Sequence, residues 1–347
     1  MNSMTCTYGR TLGLRGRVTI TRTAVRTALV LAFACATTVA GQPAPQDAAQ
    51  PAAGQAAKPT FRSTVDVVSV AAVVRDKHGR FAQNLKKDDF IVKEGGSRRE
   101  LVDFHADSNA PVRVALLFDV SGSMRLMDRL EGARQAARHV LGALRLGSTA
   151  DEAAVFSFDM NLQSLQPFTA DAGAIENALT RVTPYGQTSL YDAIAQTARR
   201  VADTRPGDPH RRAVVVFTDG VDTSSLLTPE QVSAIASEID VPVYVMAIMS
   251  PNEHDNRGFG TSIVPDGVLR TLAQWTGGDL FVTSAPAHES IAARQIVDEL
   301  RHQYVLAFPA SPAAGWHALD VKTKDRDLTV RARRGYAAGT RAGSKSL

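Results

Sequence analysis

Two apolar runs limit what this chain can fold into: Val114 to Phe118, which leads into Asp119, and Ala213 to Phe217, which leads into Thr218 and Asp219. A strand that is apolar on both faces must be covered on both, and parallel sheets with helices on each side provide that cover. The residues between the runs supply the helices. Within 125–144, Leu126, Leu130, Ala133, Ala137, Val140, Leu141 and Leu144 recur at spacings of three and four, which predicts one helix over that span.

The alternation continues through 111–301. Strands are predicted at 112–120, 153–159, 162–168, 211–220, 241–249 and 278–284, the last being the final strand of the pattern. Further helices are predicted at 172–182, 189–203, 228–239 and 265–277. The fourth of these five helices opens on a capping box, with Thr228 three residues before Gln231. Residues 109–301 therefore predict an α/β domain with a doubly wound, mostly parallel, Rossmann-like sheet. Residues 61–108 and 302–337 alternate with a period of two and predict short strands at 63–76, 88–96, 98–107, 303–310, 316–324 and 328–336. Each end is too small for a core of its own, so the two are expected to pair into one small β-rich module flanking the central domain. Residues 338–347 read as a flexible tail.

The N-terminus has a different character. Residues 1–26 hold five arginines and no acid, and 27–40 form an apolar stretch that ends in small residues. At about 14 residues the stretch is short for a membrane span and suits a secretory signal, with cleavage expected near Ala40; an uncleaved N-terminal anchor is the alternative. Residues 41–60, rich in Pro, Ala and Gln, read as a disordered linker. The export reading places the protein in the periplasm or outside the cell, with no stable membrane span after cleavage. It also removes five of the 39 basic residues and both cysteines, leaving 34 basic against 35 acidic side chains. No basic footprint for nucleic acid remains, and no disulfide can form.

Chemistry concentrates where the two apolar runs end. DVSGSM (119–124) delivers one carboxylate and two hydroxyls, Asp119, Ser121 and Ser123, and TDG (218–220) delivers Asp219. Open α/β sheets place ligands at the carboxyl ends of their strands. Between the two motifs in sequence, YGQTSLYDA (185–193) sets Thr188 on a loop just before a helix. Oxygen donors of this kind suit a hard divalent ion. Asp222 lies nearby in sequence and carries no expected ligand role. The polar loop 250–265 is expected at the same edge, and its His254, Glu253 and Asp255 read as exposed loop residues.

In these motifs the chain resembles von Willebrand factor type A domains, whose metal-ion-dependent adhesion site combines DxSxS, a distant Thr and an Asp at a later strand end. The flanking segments resemble bacterial secreted proteins of that kind. The resemblance implies that Asp119, Ser121, Ser123, Thr188 and Asp219 hold Mg²⁺, with Mn²⁺ or Ca²⁺ as alternatives. It also implies that an Asp or Glu carboxylate of a protein partner completes the site. The expected function is thus an exported, non-enzymatic adhesion-type module, and the alternative is a scaffold subunit of an envelope complex with a structural metal. A Mg²⁺-dependent phosphohydrolase of the haloacid dehalogenase type would want a second Asp where Ser121 stands. GxSxG, HExxH and P-loop motifs are missing from the sequence.

Overall fold

Residues 112–119 and 211–218 become adjacent parallel strands at the centre of a six-stranded sheet. The computed structural model describes residues 66–147, 151–184, 186–202, 208–238, 240–249, 266–283 and 285–338. The expected signal, the linker, loop 250–265 and most of the tail lie outside these residues. Among the described residues, no helix is long and apolar enough to cross a membrane.

In chain order the strands are β1 (Val67–Arg75), β2 (Phe90–Glu94), β3 (Ser97–Arg99), β4 (Asp103–His105), β5 (Val112–Asp119), β6 (Glu152–Phe158) and β7 (Leu162–Thr169). They continue with β8 (Arg211–Thr218), β9 (Val243–Ile248), β10 (Leu280–Thr283), β11 (Tyr304–Pro309), β12 (Gly315–Thr323), β13 (Thr329–Ala332) and β14 (Gly335–Ala338). The helices are α1 (Arg129–Ala143), α2 (Ala172–Thr180), α3 (Leu190–Ala202), α4 (Pro229–Glu238), α5 (Asp266–Trp275) and α6 (Pro286–Arg301).

The central sheet runs β10-β9-β8-β5-β6-β7, and only β7 is antiparallel. Side-chain alternation divides β5 between two cores. Val112, Val114, Leu116 and Phe118 face α1, α2 and α6, while Ala115 and Leu117 face α3, α4 and α5. Burying each large apolar side chain contributes roughly 1.5–3 kcal/mol, so these two layers fix the strand order and with it the edge where the motifs emerge.

The two ends of the chain do pair, as two four-stranded sheets: β13-β1-β11-β4 and β14-β12-β2-β3. They enclose Val70, Phe90, Val92, Leu306, Phe308 and Tyr336. Buried and half-buried charges tie this sandwich to the α/β domain. Glu299 of α6 accepts from Arg75 of β1 at 2.9 Å and from Arg331 of β13, and Arg331 also reaches Asp279 at 2.8 Å. Arg333, 4% exposed, donates to the carbonyls of Ser237 and Ser69.

Four expectations about elements change. The predicted strand 98–107 is two strands, β3 and β4, which join different sheets on either side of the buried Leu101. The predicted strand 328–336 is likewise split into β13 and β14, because Arg333 turns into the domain junction. The helix predicted from 125 starts at Arg129, after a 3-10 segment Gly122–Asp128. Asp128 takes a left-handed conformation, φ 57°, at that change of helix type. Helix α6 follows the strand expected to close the pattern. Its buried face combines Ala292, Ala293, Ile296, Val297 and Leu300 with two glutamates, Glu289 and Glu299, so its apolar stripe is faint in the sequence.

Local capping accounts for other boundaries. Asp171 accepts from the N–H groups of Gly173 at 2.8 Å and Ala174 at 3.2 Å, which satisfies the first turn of α2. Asp171→Ala is expected to cost about 1 kcal/mol of stability in urea unfolding.

Candidate metal centre

Phe118 and Phe217, paired in register on β5 and β8, stack with ring centroids 4.8 Å apart. The next residue of each strand, Asp119 and Thr218, therefore reaches the carboxyl edge together with its neighbour. The Thr218 hydroxyl accepts from Gly220 N–H at 2.9 Å and so turns its own proton to Asp119 Oδ2, at 2.6 Å. Ser121 N–H donates to Asp119 Oδ1 at 2.9 Å, closing the turn that starts the DVSGSM loop. Ser121 Oγ lies 3.0 Å from Ser123 Oγ, so the two hydroxyls sit side by side.

The second carboxylate, Asp219, is 5% exposed, and its Oδ2 accepts from Arg129 Nη1 at 2.7 Å. Thr188, 3% exposed, is tied to the loop after β8. Its carbonyl accepts from Thr223 N–H at 2.9 Å and Ser224 N–H at 3.0 Å, and its own N–H donates to Thr223 Oγ1 at 3.0 Å. The Thr188 loop is tied to the DVSGSM loop through Gly122 N–H, which donates to the Gly186 carbonyl at 3.1 Å. Gly186 has φ +104°, and a Cβ there would lie 3.2 Å from that of Asp159. Only glycine meets both demands without strain.

The three segments carrying the expected site residues are thus interlocked at one edge of the sheet, with Asp119, Ser121, Thr188 and Asp219 all buried. Asp222 has a different job. Its Oδ1 accepts from Leu190 N–H at 2.7 Å and from Ser225 Oγ at 2.6 Å, so it caps α3 and holds the loop that carries Thr188.

The electrostatics are lopsided. Burial pushes the Asp119 carboxyl up to about 6, and the negative charge of Asp219 adds to the rise, while hydrogen bonds from Thr218 and Ser121 oppose it. Those bonds come from neutral donors, whereas Asp219 has a guanidinium beside it. A buried carboxylate without a matching cation is costly, and a divalent ion would relieve that cost. Among the described residues, no three His, Cys, Asp or Glu side chains cluster as a ligand set. Among the described residues, a shell here would draw on the serine and threonine hydroxyls as well as the two aspartates. An all-oxygen donor set of that kind fits a hard cation.

Two residues in contact with the site carry no expected role in the sequence: Thr218, which orients Asp119, and Arg129. The helical pattern starts at 125, so Arg129 reads as one more position on a solvated helix. Three large apolar side chains stand exposed on the segments that leave the carboxyl ends of β5, β6 and β8: Leu126 (57%), in the 3-10 segment, Met160 (58%) and Leu226 (91%).

Residues 114–221, which include all five expected site residues, match the family model described as von Willebrand factor type A domain. The thrombospondin-related anonymous protein of Plasmodium falciparum is 29% identical over 124 residues, 33% of this chain and 22% of that protein. The chain thus spans about a fifth of that relative's length. Among solved structures, a von Willebrand factor type A protein from Catenulispora acidiphila aligns with TM-score 0.46 and 15% identity, over 74% of this chain and 75% of that one. The manganese-loaded TRAP protein of Plasmodium vivax aligns with TM-score 0.41 and 14% identity, over 71% of this chain and 98% of that one.

Proposed function

We propose that this chain, whose residues 114–221 form a von Willebrand factor type A domain, is an exported protein-binding module that depends on a divalent ion. Asp119, Ser121, Ser123, Thr188 and Asp219 would hold the ion, Mg²⁺ in the first instance and Mn²⁺ or Ca²⁺ as alternatives. One buried observation carries the reading. Asp119 is 0% exposed, ends the central strand, and receives hydrogen bonds from neutral donors only.

A bound divalent ion supplies positive charge and an exchangeable coordination position for a carboxylate. The chain's own residues do the rest. Thr218 and Ser121 N–H fix both oxygens of Asp119. Asp222 and Ser225 hold the start of α3, and with it the Thr188 loop. Leu126, Met160 and Leu226 present exposed apolar surface on the segments that follow β5, β6 and β8. Exposed apolar groups on the edge that carries the polar centre suit a protein partner, which would remove them from water on binding. The site is read as non-catalytic, since Ser121 occupies the position where a second acid would serve phosphoryl transfer.

The test is differential capture from the envelope and culture medium of the source cells. Proteins retained by the immobilised wild type in Mg²⁺ are expected to elute with EDTA and to be missing from an Asp119→Ala column. Recovery of the same proteins from both columns would contradict metal-mediated binding.

A further inference from the structure

Arg129, the first residue of α1, belongs to none of the motifs, yet its guanidinium is part of the site. Nη1 lies 2.7 Å from Asp219 Oδ2 and 3.4 Å from the Ser123 carbonyl oxygen, which places it between two of the three segments. The Arg129 and Asp219 side chains are 12% and 4% exposed, so the pair is shielded from solvent. Asp119, by contrast, is held by neutral donors. Among the described residues, the guanidinium is placed on Asp219 and the buried Asp119 carboxylate has neutral donors alone.

We propose that Arg129 is a resident counter-cation of the centre, which pairs with Asp219 when no ion is bound and weakens divalent-ion affinity when one arrives. The proposal rests on the reading that the five residues bind a divalent ion. Binding must either share Asp219 with the guanidinium or displace it, and both routes cost energy. The positive charge of the guanidinium repels the incoming ion. At this burial the screening by water is weak. The consequence is a centre whose occupancy follows the surrounding ion concentration, and partner capture follows occupancy.

Calorimetric titration of the full-length, EDTA-stripped protein with Mn²⁺ tests this, using wild type, Arg129→Gln and Arg129→Lys, each checked by circular dichroism. Arg129→Gln is expected to bind Mn²⁺ at least about tenfold tighter than wild type. It should also melt at a lower temperature without metal and gain more on Mn²⁺ addition. Arg129→Lys, whose single ammonium holds Asp219 less firmly, should tighten binding by a smaller factor, about threefold. The Lys variant decides the matter if the Gln variant does not fold. A folded variant that binds Mn²⁺ no tighter than wild type overturns the role of Arg129 and leaves the metal reading intact. Failure of every protein to bind Mn²⁺ overturns the metal reading and the role of Arg129 with it.

Discussion

Asp119→Asn is expected to abolish divalent-ion binding while raising the melting temperature of the metal-free protein at pH 7. Burial holds the folded-state pKa of Asp119 at about 6, above its ordinary value of 3.8. The folded protein therefore binds this proton more tightly than the unfolded chain does. Stability from this group is fully present below about pH 4 and is lost as pH rises through about 6. The penalty at neutral pH is on the order of 3 kcal/mol. Asparagine is neutral and escapes it. Its oxygen can accept from Ser121 N–H, and its amide can donate to the Thr218 hydroxyl, whose own proton loses its acceptor and offsets part of the gain. Melts in EDTA should show the wild type more stable at pH 5 than at pH 7, with that slope reduced in Asp119→Asn. Affinity for Mn²⁺ should fall about a hundredfold or more in the variant, and in wild type it should weaken below pH 6 as protons compete for the carboxylate. An Asn variant less stable than wild type at pH 7 in EDTA would contradict the electrostatic reading.

Glu299→Ala is expected to cost about 3–5 kcal/mol, the largest loss of stability among the substitutions considered. The Glu299 carboxylate is 0% exposed and is shared by Arg75, at 2.9 Å, and Arg331, with Gln295 Nε2 at 3.2 Å. Truncation leaves two guanidiniums, 26% and 22% exposed, without their common acceptor. Asp279 still holds Arg331, at 2.8 Å, which keeps the cost nearer the lower end. Because Arg75 lies on β1 and Arg331 on β13, the loss falls on the junction between sandwich and α/β domain. Urea unfolding checks the magnitude, and limited proteolysis should show earlier cleavage in the sandwich strands. A change below about 1 kcal/mol would mean that apolar packing alone holds the junction.

The central sheet is legible in the sequence because β5 and β8 are apolar on both faces, a pattern that few other arrangements can bury. The site segments are legible for a related reason: chemistry-bearing residues placed directly after buried strands have one edge on which to emerge. The pairing of the two end segments is legible from their period-two alternation together with their small size. What escapes sequence reading has physical causes. Period-two alternation carries straight through a bend, so 98–107 and 328–336 each look like one strand although each serves two sheets. Helix α6 hides because Glu289 and Glu299 interrupt its buried face, and Glu299 is there to meet arginines that come from other parts of the chain. Arg129 is illegible because its partner is 90 residues away and the 3-10 segment before α1 shifts which helical position faces the site.

Anomalous diffraction from crystals grown with Mn²⁺ tests the central claim most directly. One peak is expected at the carboxyl edge of β5 and β8, in contact with the hydroxyls of Ser121 and Ser123 and within the shell formed with Asp119, Thr188 and Asp219. Crystals of Asp119→Asn under the same conditions should lack it. A fully soaked wild-type crystal with no peak among these five residues, or with its strongest peak elsewhere on the chain, would contradict the account.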